Sequence, residues 1–175
     1  MKILWCITGS GHLLEETIEL MEKISKNNEI TIAISNAGFE VLRMYGFYEK
    51  IKKISERIIL EKDQGHSFPF IGKIANREFD KIFVMPCSAN TTAKIAYGIA
   101  DSLISNIVSQ GLKNSLEVIL LPTDFRKVER TKAPDGRKIT LQIRDIDIYN
   151  VKKISKAQGI KVVKNLEEIE KIFMI

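Results

Sequence analysis

The amino-acid sequence predicts an α/β fold: a three-layer sandwich with a mainly parallel sheet and helices on both faces. Short apolar runs, each long enough for a buried strand, alternate along the chain with longer stretches of helical spacing. Glycine, proline and asparagine stand at most of the boundaries between them. The chain has 175 residues and no visible repeat or linker, so we expect a single domain over residues 1–175.

In the first half of the chain, strands are predicted at residues 3–7, 29–35 and 57–62, where apolar residues cluster. Helices are predicted at residues 13–24 and 37–44, where apolar residues recur every three or four positions. Asn36 is the expected N-cap of the second helix. Residues 65–74, which contain two glycines and Pro69, are expected to form a loop.

In the second half, residues 81–85 and 116–121 are the clearest strands, ended by Pro86 and Pro122. Residues 91–111 fit one long helix or two short ones, and residues 123–136 are expected to form a charged loop. The alternation in residues 138–143 predicts a half-exposed strand. Asp145 is the expected cap of a helix that ends near Gly159. A last strand at residues 160–163 and a helix with a capping box at residues 165–168 complete the fold.

Composition and charge narrow the classes of function. Lys and Arg number 27 against 22 Asp and Glu, but the cations are spread along the chain, often beside Glu. No basic block is interleaved with aromatic residues, so binding to nucleic acid is not expected. The apolar runs fall short of the roughly 18 residues of a membrane span, so no membrane association is expected.

The two cysteines and two histidines do not form a metal-binding pattern. Cys6 and Cys87 are far apart, as are His12 and His66, and no CxxC or HxxxH pair exists. We therefore expect no metal site. Two isolated thiols are also typical of a reducing compartment, which predicts a cytoplasmic protein.

Small and polar residues follow three of the predicted strands. They are "TGSG" at residues 8–11, Ser35-Asn36, and "PCSANT" at residues 86–91. The carboxyl ends of parallel strands meet at one edge of an open α/β sheet, and ligands bind there. The sequence therefore predicts one ligand site built from these three segments.

The "TGSG" segment suits a single phosphate group. Gly9 and Gly11 let the backbone approach an anion, Ser10 offers a hydroxyl, and the N–H groups of the next helix point toward it. No Gly-Lys-Ser/Thr follows, so the segment is not a P-loop. The third glycine of a dinucleotide fingerprint is missing, as is the acidic residue after the second strand. A plain strand–helix turn is the alternative.

The segment at residues 86–91 offers more hydrogen-bonding groups than one helix cap uses. Any one of its polar residues could serve as the cap, but together with small neighbours they also leave room for a flat ring. For Cys87, a buried core thiol is the alternative. The candidate ligand-binding residues are Gly9, Ser10, Gly11, Ser35, Asn36, Pro86, Cys87, Ser88, Ala89, Asn90 and Thr91.

The segment "PCSANTTAKIAYGIAD" resembles the PASANT-type motif of a family of FMN-binding flavoproteins. The family includes phosphopantothenoylcysteine decarboxylase, lantibiotic cysteine decarboxylases and flavin prenyltransferase. "TGSG" matches their first phosphate loop, and Ser35 falls where they commonly place a phosphate-binding hydroxyl. The likeness spans roughly residues 1–121. It implies FMN as cofactor, a Rossmann-like fold, and a homo-oligomer built from trimers with the flavin at a subunit interface.

Two activities of that family are not matched. The decarboxylases carry a substrate motif rich in Met and Asn after the strand at residues 116–121, where this chain reads "LPTDFRKVERTKAPDG". Their active-site His has a counterpart in His66 only at a longer spacing to Asp80. The flavin prenyltransferases usually have an Arg-Glu pair where Thr123-Asp124 stands.

Further segments, among them "SFPF", "GIADSLISN", "LPTD" and "IRDIDIYN", are similar to archaeoflavoproteins and acceptor-type dihydromethanopterin reductases. This resemblance implies an FMN redox flavoprotein that takes electrons from a ferredoxin-like donor and passes them to an acceptor, with a pterin as a candidate. The flavin would carry the chemistry, so no catalytic side chain is required. An FMN-dependent decarboxylase or prenyltransferase is the alternative, and a flavin-free nucleotide-binding or interaction module is a third.

Two other features are open to more than one interpretation. His12, at the start of the first helix, is either a phosphate ligand or a solvent-facing residue of the first turn. The basic residues of the 123–136 loop either dock an acidic ferredoxin or an anionic pterin, or are simply solvated. These residues are Arg126, Lys127, Arg130 and Lys132.

Overall fold

The structure is built on strands that follow the apolar runs of the sequence. The computed structural model describes residues 1–65 and 67–174. Its strands are β1 (Lys2–Ile7), β2 (Glu29–Ile34), β3 (Ile58–Leu60), β4 (Lys81–Cys87), β5 (Glu117–Pro122), β6 (Val128–Lys132), β7 (Lys138–Gln142) and β8 (Ile160–Val162). Its α-helices are α1 (Leu14–Ser25), α2 (Asn36–Met44), α3 (Tyr48–Ile54), α4 (Ile71–Ala75), α5 (Ala89–Ala96), α6 (Leu103–Lys113), α7 (Asp145–Ile154) and α8 (Glu167–Phe173).

Six strands form one parallel sheet in the order β3-β2-β1-β4-β5-β8. The order reverses between β1 and β4, and the helices that follow these two strands pack on opposite faces of the sheet. Such a reversal leaves a crevice at the carboxyl edge of the sheet. β6 and β7 form a separate antiparallel hairpin. The predicted α/β fold is confirmed.

Apolar side chains cover both faces of the sheet. In β1, Ile3, Trp5 and Ile7 pack into one cluster with α1, whereas Leu4 and Cys6 pack into a second cluster with α6. This alternation is the normal side-chain geometry of a strand. A parallel sheet covered on both faces requires a continuous apolar run in each central strand, which explains why these strands have a strong sequence signal.

Some of the predicted boundaries were wrong. Pro86 does not end its strand, because β4 continues to Cys87 through a cis Met85–Pro86 peptide. For residues 91–111 the second of the two predicted alternatives is confirmed, since two helices form there with Gly98 at a positive φ between them. The segment at 65–74, expected to be a loop, contains α4, and α3 was not predicted at all.

Two helix caps also differ from the prediction. Ser35, not Asn36, is the N-cap of α2, and its hydroxyl accepts a hydrogen bond from the Gly38 N–H at 3.0 Å. Asp145 is the first residue of α7 rather than its cap. Before α8, half of the predicted capping box forms. The side chain of Asn165 accepts a hydrogen bond from the Glu168 N–H at 3.0 Å, but the Glu168 carboxylate accepts from the Lys164 N–H rather than from Asn165.

The charged segment at residues 123–136 is only partly a loop. Its residues 128–132 form β6, which pairs with β7. β7 itself is exposed along its whole length rather than half-exposed. None of the helices within the described ranges combines the length and the apolar character needed to cross a membrane.

Phe83 provides a test of the core. It is fully buried in β4, with its ring centroid 5.6 Å from Trp5 and 5.5 Å from Phe173. Phe83→Ala is expected to lower the free energy of unfolding by about 3–5 kcal/mol because it leaves a cavity. Met44→Ala, at an exposed position of α2, is the control and should change it by less than about 0.5 kcal/mol. Urea unfolding followed by circular dichroism measures both, and equal effects would contradict this core.

Candidate functional site

A cleft of about 750 Å³ lies at the carboxyl edge of the sheet, and loops after β1, β2, β4 and β5 form its walls together with the β6–β7 hairpin. Its volume falls within the roughly 300–1,000 Å³ that small-molecule sites occupy. The structure brings all three predicted segments together here. The predicted candidates that line the cleft are Gly9, Ser10, Gly11, Ser35, Asn36, Ser88, Ala89, Asn90 and Thr91.

The glycine loop after β1 approaches its neighbours too closely for larger side chains. A Cβ on Gly9 would lie 2.5 Å from the Cβ of Ala37, and a Cβ on Gly11 would lie 2.3 Å from the hydroxyl oxygen of Tyr45. That hydroxyl donates a hydrogen bond to the backbone carbonyl of Lys132 at 2.8 Å. Glycine at position 11 therefore makes room for the tyrosine that holds the hairpin beside the cleft.

Ser35 caps α2 and still has a hydroxyl proton to donate, because capping uses only an oxygen lone pair. The N–H of Asn36 is used differently, since it donates to Oε2 of Glu61 at 2.8 Å. Oε1 of Glu61 accepts from the N–H of Leu103, also at 2.8 Å. One carboxylate thus joins the N-termini of α2 and α6, where the helix dipoles favour negative charge.

The buried hydroxyl of Thr8 connects the end of β1 to the loop after β4. It donates to the carbonyl oxygen of Pro86 at 2.7 Å and accepts from the N–H of Ser88 at 2.8 Å. These two bonds fix the separation between the glycine loop and the 88–91 segment.

Helix capping accounts for Ser88 and Thr91 but not for Asn90. The hydroxyl of Ser88 accepts from the Thr91 N–H at 3.4 Å and donates to the Thr91 hydroxyl oxygen at 3.2 Å. The side-chain amide of Asn90 takes no part in the hydrogen bonds found across residues 1–65 and 67–174, and the residue is exposed on the cleft wall. Asn90 therefore presents both an acceptor and a donor to an occupant of the cleft.

Pro86 and Cys87 lie behind the cleft wall rather than on it. Both are buried in β4, and the sulfur of Cys87 lies 3.3 Å from the hydroxyl oxygen of Thr92. Burial raises the pKa of Cys87 to about 12, so its thiol stays protonated and unreactive at neutral pH. Cys6, in β1, is likewise fully buried in the core.

The cations of the cleft already have acidic partners. The ammonium group of Lys94 lies 2.7 Å from Asp101. Arg144 donates two hydrogen bonds of 2.8 Å to the buried Asp147. No three His, Cys, Asp or Glu side chains in the described part of the chain are grouped to hold a metal ion.

Several residues of the cleft carry little signal in the sequence. Glu61 directly follows β3, so it stands at the carboxyl end of a parallel strand, as the predicted site residues do. β3, however, consists of only three half-buried residues, and so short a strand is weakly marked in the sequence. Arg144 and Asp147 have the i,i+3 spacing of an ion pair on a helix, a local signal that was overlooked. The hairpin residues carry no such signal because their position depends on how the hairpin folds over the sheet. His66 lies outside the described residues.

The family model described as Flavoprotein matches residues 1–173. The chain belongs to the Flavoprotein family. A dihydromethanopterin reductase (acceptor) of Methanocaldococcus jannaschii is 36% identical over 160 residues, which cover 85% of this chain and 65% of that protein. A flavin prenyltransferase of the same organism is 27% identical over 129 residues, 71% of this chain and 66% of that protein.

Among solved structures, this flavoprotein is similar to DmrB of Burkholderia xenovorans in complex with FMN, described as a cubic protein cage for redox transfer. The TM-score is 0.86 at 27% sequence identity, over 99% of this chain and 93% of that one. The resemblance inferred from the sequence motifs is confirmed. This chain nevertheless spans only about two thirds of the length of the two curated relatives named above.

Thr8→Val tests the link between the two loops of the flavoprotein. Valine has nearly the same shape but leaves the Pro86 carbonyl and the Ser88 N–H without their partner. The free energy of unfolding is expected to fall by about 1–3 kcal/mol. Exchange of the Ser88 amide hydrogen, followed by NMR, should accelerate. Thr8→Ser keeps the hydroxyl and is the control, so equal acceleration in both variants would rule out the proposed link.

Asp124 provides a test of the electrostatics in the cleft. Burial and Asp147 raise the pKa of this half-buried carboxyl, while His12, the Ala89 N–H and Arg144 act in the opposite direction. A raised pKa means that the folded state disfavours the ionised form, so stability falls as pH rises through the folded-state pKa. Asp124→Asn should therefore be more stable than the wild type at pH 7, by less than about 1 kcal/mol, with no advantage below about pH 4.

Asp135 serves as the control for this measurement, because the N–H and guanidinium of Arg137 lower its pKa. Asp135→Asn should therefore lose stability at pH 7 and match the wild type in acid. Urea unfolding measured between about pH 3 and about pH 8 compares the three proteins. If both variants change the free energy of unfolding at pH 7 in the same direction, the environments assigned to the two carboxyl groups are wrong.

Proposed function

We propose that this flavoprotein binds FMN in the cleft as a single domain and transfers electrons from a ferredoxin-like donor to an acceptor, with a pterin as the candidate acceptor. The observation that carries the proposal is the convergence of three small-residue loops at the point where the strand order reverses. The name of the reductase relative and the description of DmrB as a redox cage support the redox assignment.

The groups present in the cleft fit FMN, which has one phosphate, a polyol chain and a flat ring. The glycine loop and the hydroxyl of Ser35 offer N–H and O–H donors to a phosphate near two helix N-termini. Ala89 is small, and Asn90 presents a donor and an acceptor suited to the polar edge of a ring. The missing dinucleotide fingerprint agrees with a mononucleotide.

When bound, FMN supplies the redox chemistry, accepting electrons and passing them on. The residues of the chain bind and orient it. Thr8 sets the spacing between the phosphate loop and the 88–91 segment. Ile139 and Leu141 of the hairpin line the cleft with apolar surface, which excludes water from the ring.

The donor is proposed to dock beside the hairpin. Arg126 and Arg130 are exposed there and would attract an acidic iron–sulfur protein. The other two cations of the predicted basic cluster are partly neutralised, since Lys127 contacts Asp145 and Lys132 lies 3.8 Å from Glu15. We also propose a cytoplasmic homo-oligomer built from trimers. The cage formed by DmrB supports the formation of an oligomer.

The alternative is FMN-dependent decarboxylation or prenyl transfer. The likeness to a flavin prenyltransferase over 71% of the chain favours it. Thr123 and Asp124 occupy the place where the prenyltransferases usually have an Arg-Glu pair, which argues against that activity. A flavin-free nucleotide-binding or interaction module is the third candidate.

Flavin binding is tested by titrating the purified protein with FMN and following flavin fluorescence. Asn90→Asp is expected to weaken FMN binding by about tenfold, because a carboxylate offers no N–H donor and adds negative charge to the cleft. Asn76→Asp makes the same chemical change at an exposed position in the turn after α4 and should bind FMN normally.

The outcomes separate the three candidates. If the wild type does not bind FMN, the flavin-free module is favoured and both flavin-dependent functions are wrong. If FMN binds and reduced ferredoxin bleaches its visible absorbance, the redox function is supported. Bound FMN that plausible iron–sulfur donors leave oxidised would favour the decarboxylase or prenyltransferase.

A further inference from the structure

An imidazole and a buried carboxylate lie side by side at the edge of the cleft. Nε2 of His12 is 3.6 Å from Oε2 of Glu129. Only 16% of the His12 side chain and 7% of the Glu129 side chain are exposed. His12 follows the glycine loop and lines the cleft, whereas Glu129 belongs to β6 of the hairpin.

The orientation of Glu129 is the reverse of the usual pattern in a strand. The carboxylate of Glu129 is turned inward, while the neighbouring Val128 is 45% exposed. Glu129 pairs with Leu141 across the hairpin and so shares the face that looks into the cleft. Burying a carboxylate is unfavourable unless it is paired, and an apolar residue would pack here at lower cost.

One oxygen of this carboxylate is unsatisfied. Oε1 of Glu129 is inaccessible to solvent and has no hydrogen-bond partner among the described residues. A buried polar atom left without a partner requires an explanation, and a catalytic or redox role is one of the known explanations. Among the described residues, His12 is the only potential cation within 4 Å of this carboxylate.

His12 borders three spaces. Besides the cleft, it lines a pocket of about 530 Å³ together with Glu15 and Glu16, and a groove of about 480 Å³ that Glu129 also lines. Protons can therefore reach the pair from the groove without crossing the cleft. The remaining residues of the groove are Leu13, Phe125, Arg126, Val128, Arg130 and Lys164.

We propose that His12 and Glu129 form a proton-binding pair that takes up a proton when FMN in the cleft is reduced, an inference that rests on the proposed function. Two electrons enter from the donor and one proton is consumed by the reduction itself, as in any two-electron reduction of a flavin; one further proton from solvent forms an N–H bond on the imidazole. The imidazolium then offsets the negative charge that reduction adds to the cleft. Glu129 acts through His12, holding the ring and stabilising its positive charge.

Other charged groups face the pair from every neighbouring element. Asp124 lies on the cleft side, and Glu15 and Glu16 lie in the first turn of α1. These carboxylates favour the imidazolium. The cations of the outer groove and Arg144 oppose it, so proton uptake depends on the buried carboxylate rather than on net charge.

The test is a spectroelectrochemical titration of the FMN-loaded protein between about pH 5 and 8, where histidine changes charge. The midpoint potential of the wild type should fall more steeply with pH than that of His12→Gln. The difference between the two slopes should correspond to about one proton taken up per two electrons. Glu129→Gln should lose most of this extra slope. Glu19→Gln removes an exposed carboxylate elsewhere on α1 and should match the wild type.

Two other outcomes would overturn the inference without affecting the proposed function. Identical slopes in the wild type and His12→Gln, with FMN bound to both, would show that the pair is not linked to reduction. If His12→Gln weakens the binding of oxidised and of reduced FMN equally, and leaves the binding of riboflavin unchanged, then His12 is a phosphate ligand instead. If the wild type binds no FMN, the inference and the proposed function are both wrong.

A second measurement needs no flavin. In the neutral ring, ¹⁵N chemical shifts show which nitrogen of His12 carries the proton. The hydrogen should sit on Nε2, facing Glu129, and this preference should disappear in Glu129→Leu, which has no acceptor. Glu129→Gln keeps an acceptor and should retain the preference while losing the extra slope. A wild-type ring protonated on Nδ1 would contradict the pair.

Discussion

The hydroxyl of Thr8 is the constraint on which the geometry of the cleft depends. Strand order reverses between β1 and β4, so the chain leaves the ends of these strands toward opposite faces of the sheet. Without a connection, the two loops would be positioned only by their own strands. Thr8 bonds to both the carbonyl of Pro86 and the N–H of Ser88, and thereby makes one rigid wall from two separate loops.

Capping and ligand binding are not exclusive roles, and the structure shows which residues can combine them. Ser35 accepts one hydrogen bond as the cap of α2 and keeps its O–H for an anion. Ser88 both accepts from and donates to Thr91, so its only hydroxyl proton is used within the protein and none is left to donate to a ligand. Asn90, which supports no helix end, is the residue of the 86–91 segment whose side chain is best explained by a ligand.

The parts of the fold that could be predicted from sequence are those in which local pattern and tertiary burial agree. β1 and β4 are continuous apolar runs because both faces of the sheet are covered. β6 could not be predicted, because "VERTK" turns its valine outward and its glutamate inward. The place of Glu61 at a strand end carries little signal because β3 is only three half-buried residues, and the two helices that its carboxylate joins are distant in sequence.

The charges of the cleft favour electron transfer over chemistry on a second anionic substrate. Lys94 and Arg144 contact Asp101 and Asp147, so neither brings uncompensated positive charge to the cleft. A single phosphate can be held there by hydroxyl and N–H donors at helix N-termini. Transfer of a prenyl group from a phosphate ester would place a second anion beside the first, and the described residues of the cleft provide no unpaired Lys or Arg for it. Electron transfer from a docked donor protein to a bound flavin places no second anion in the cleft.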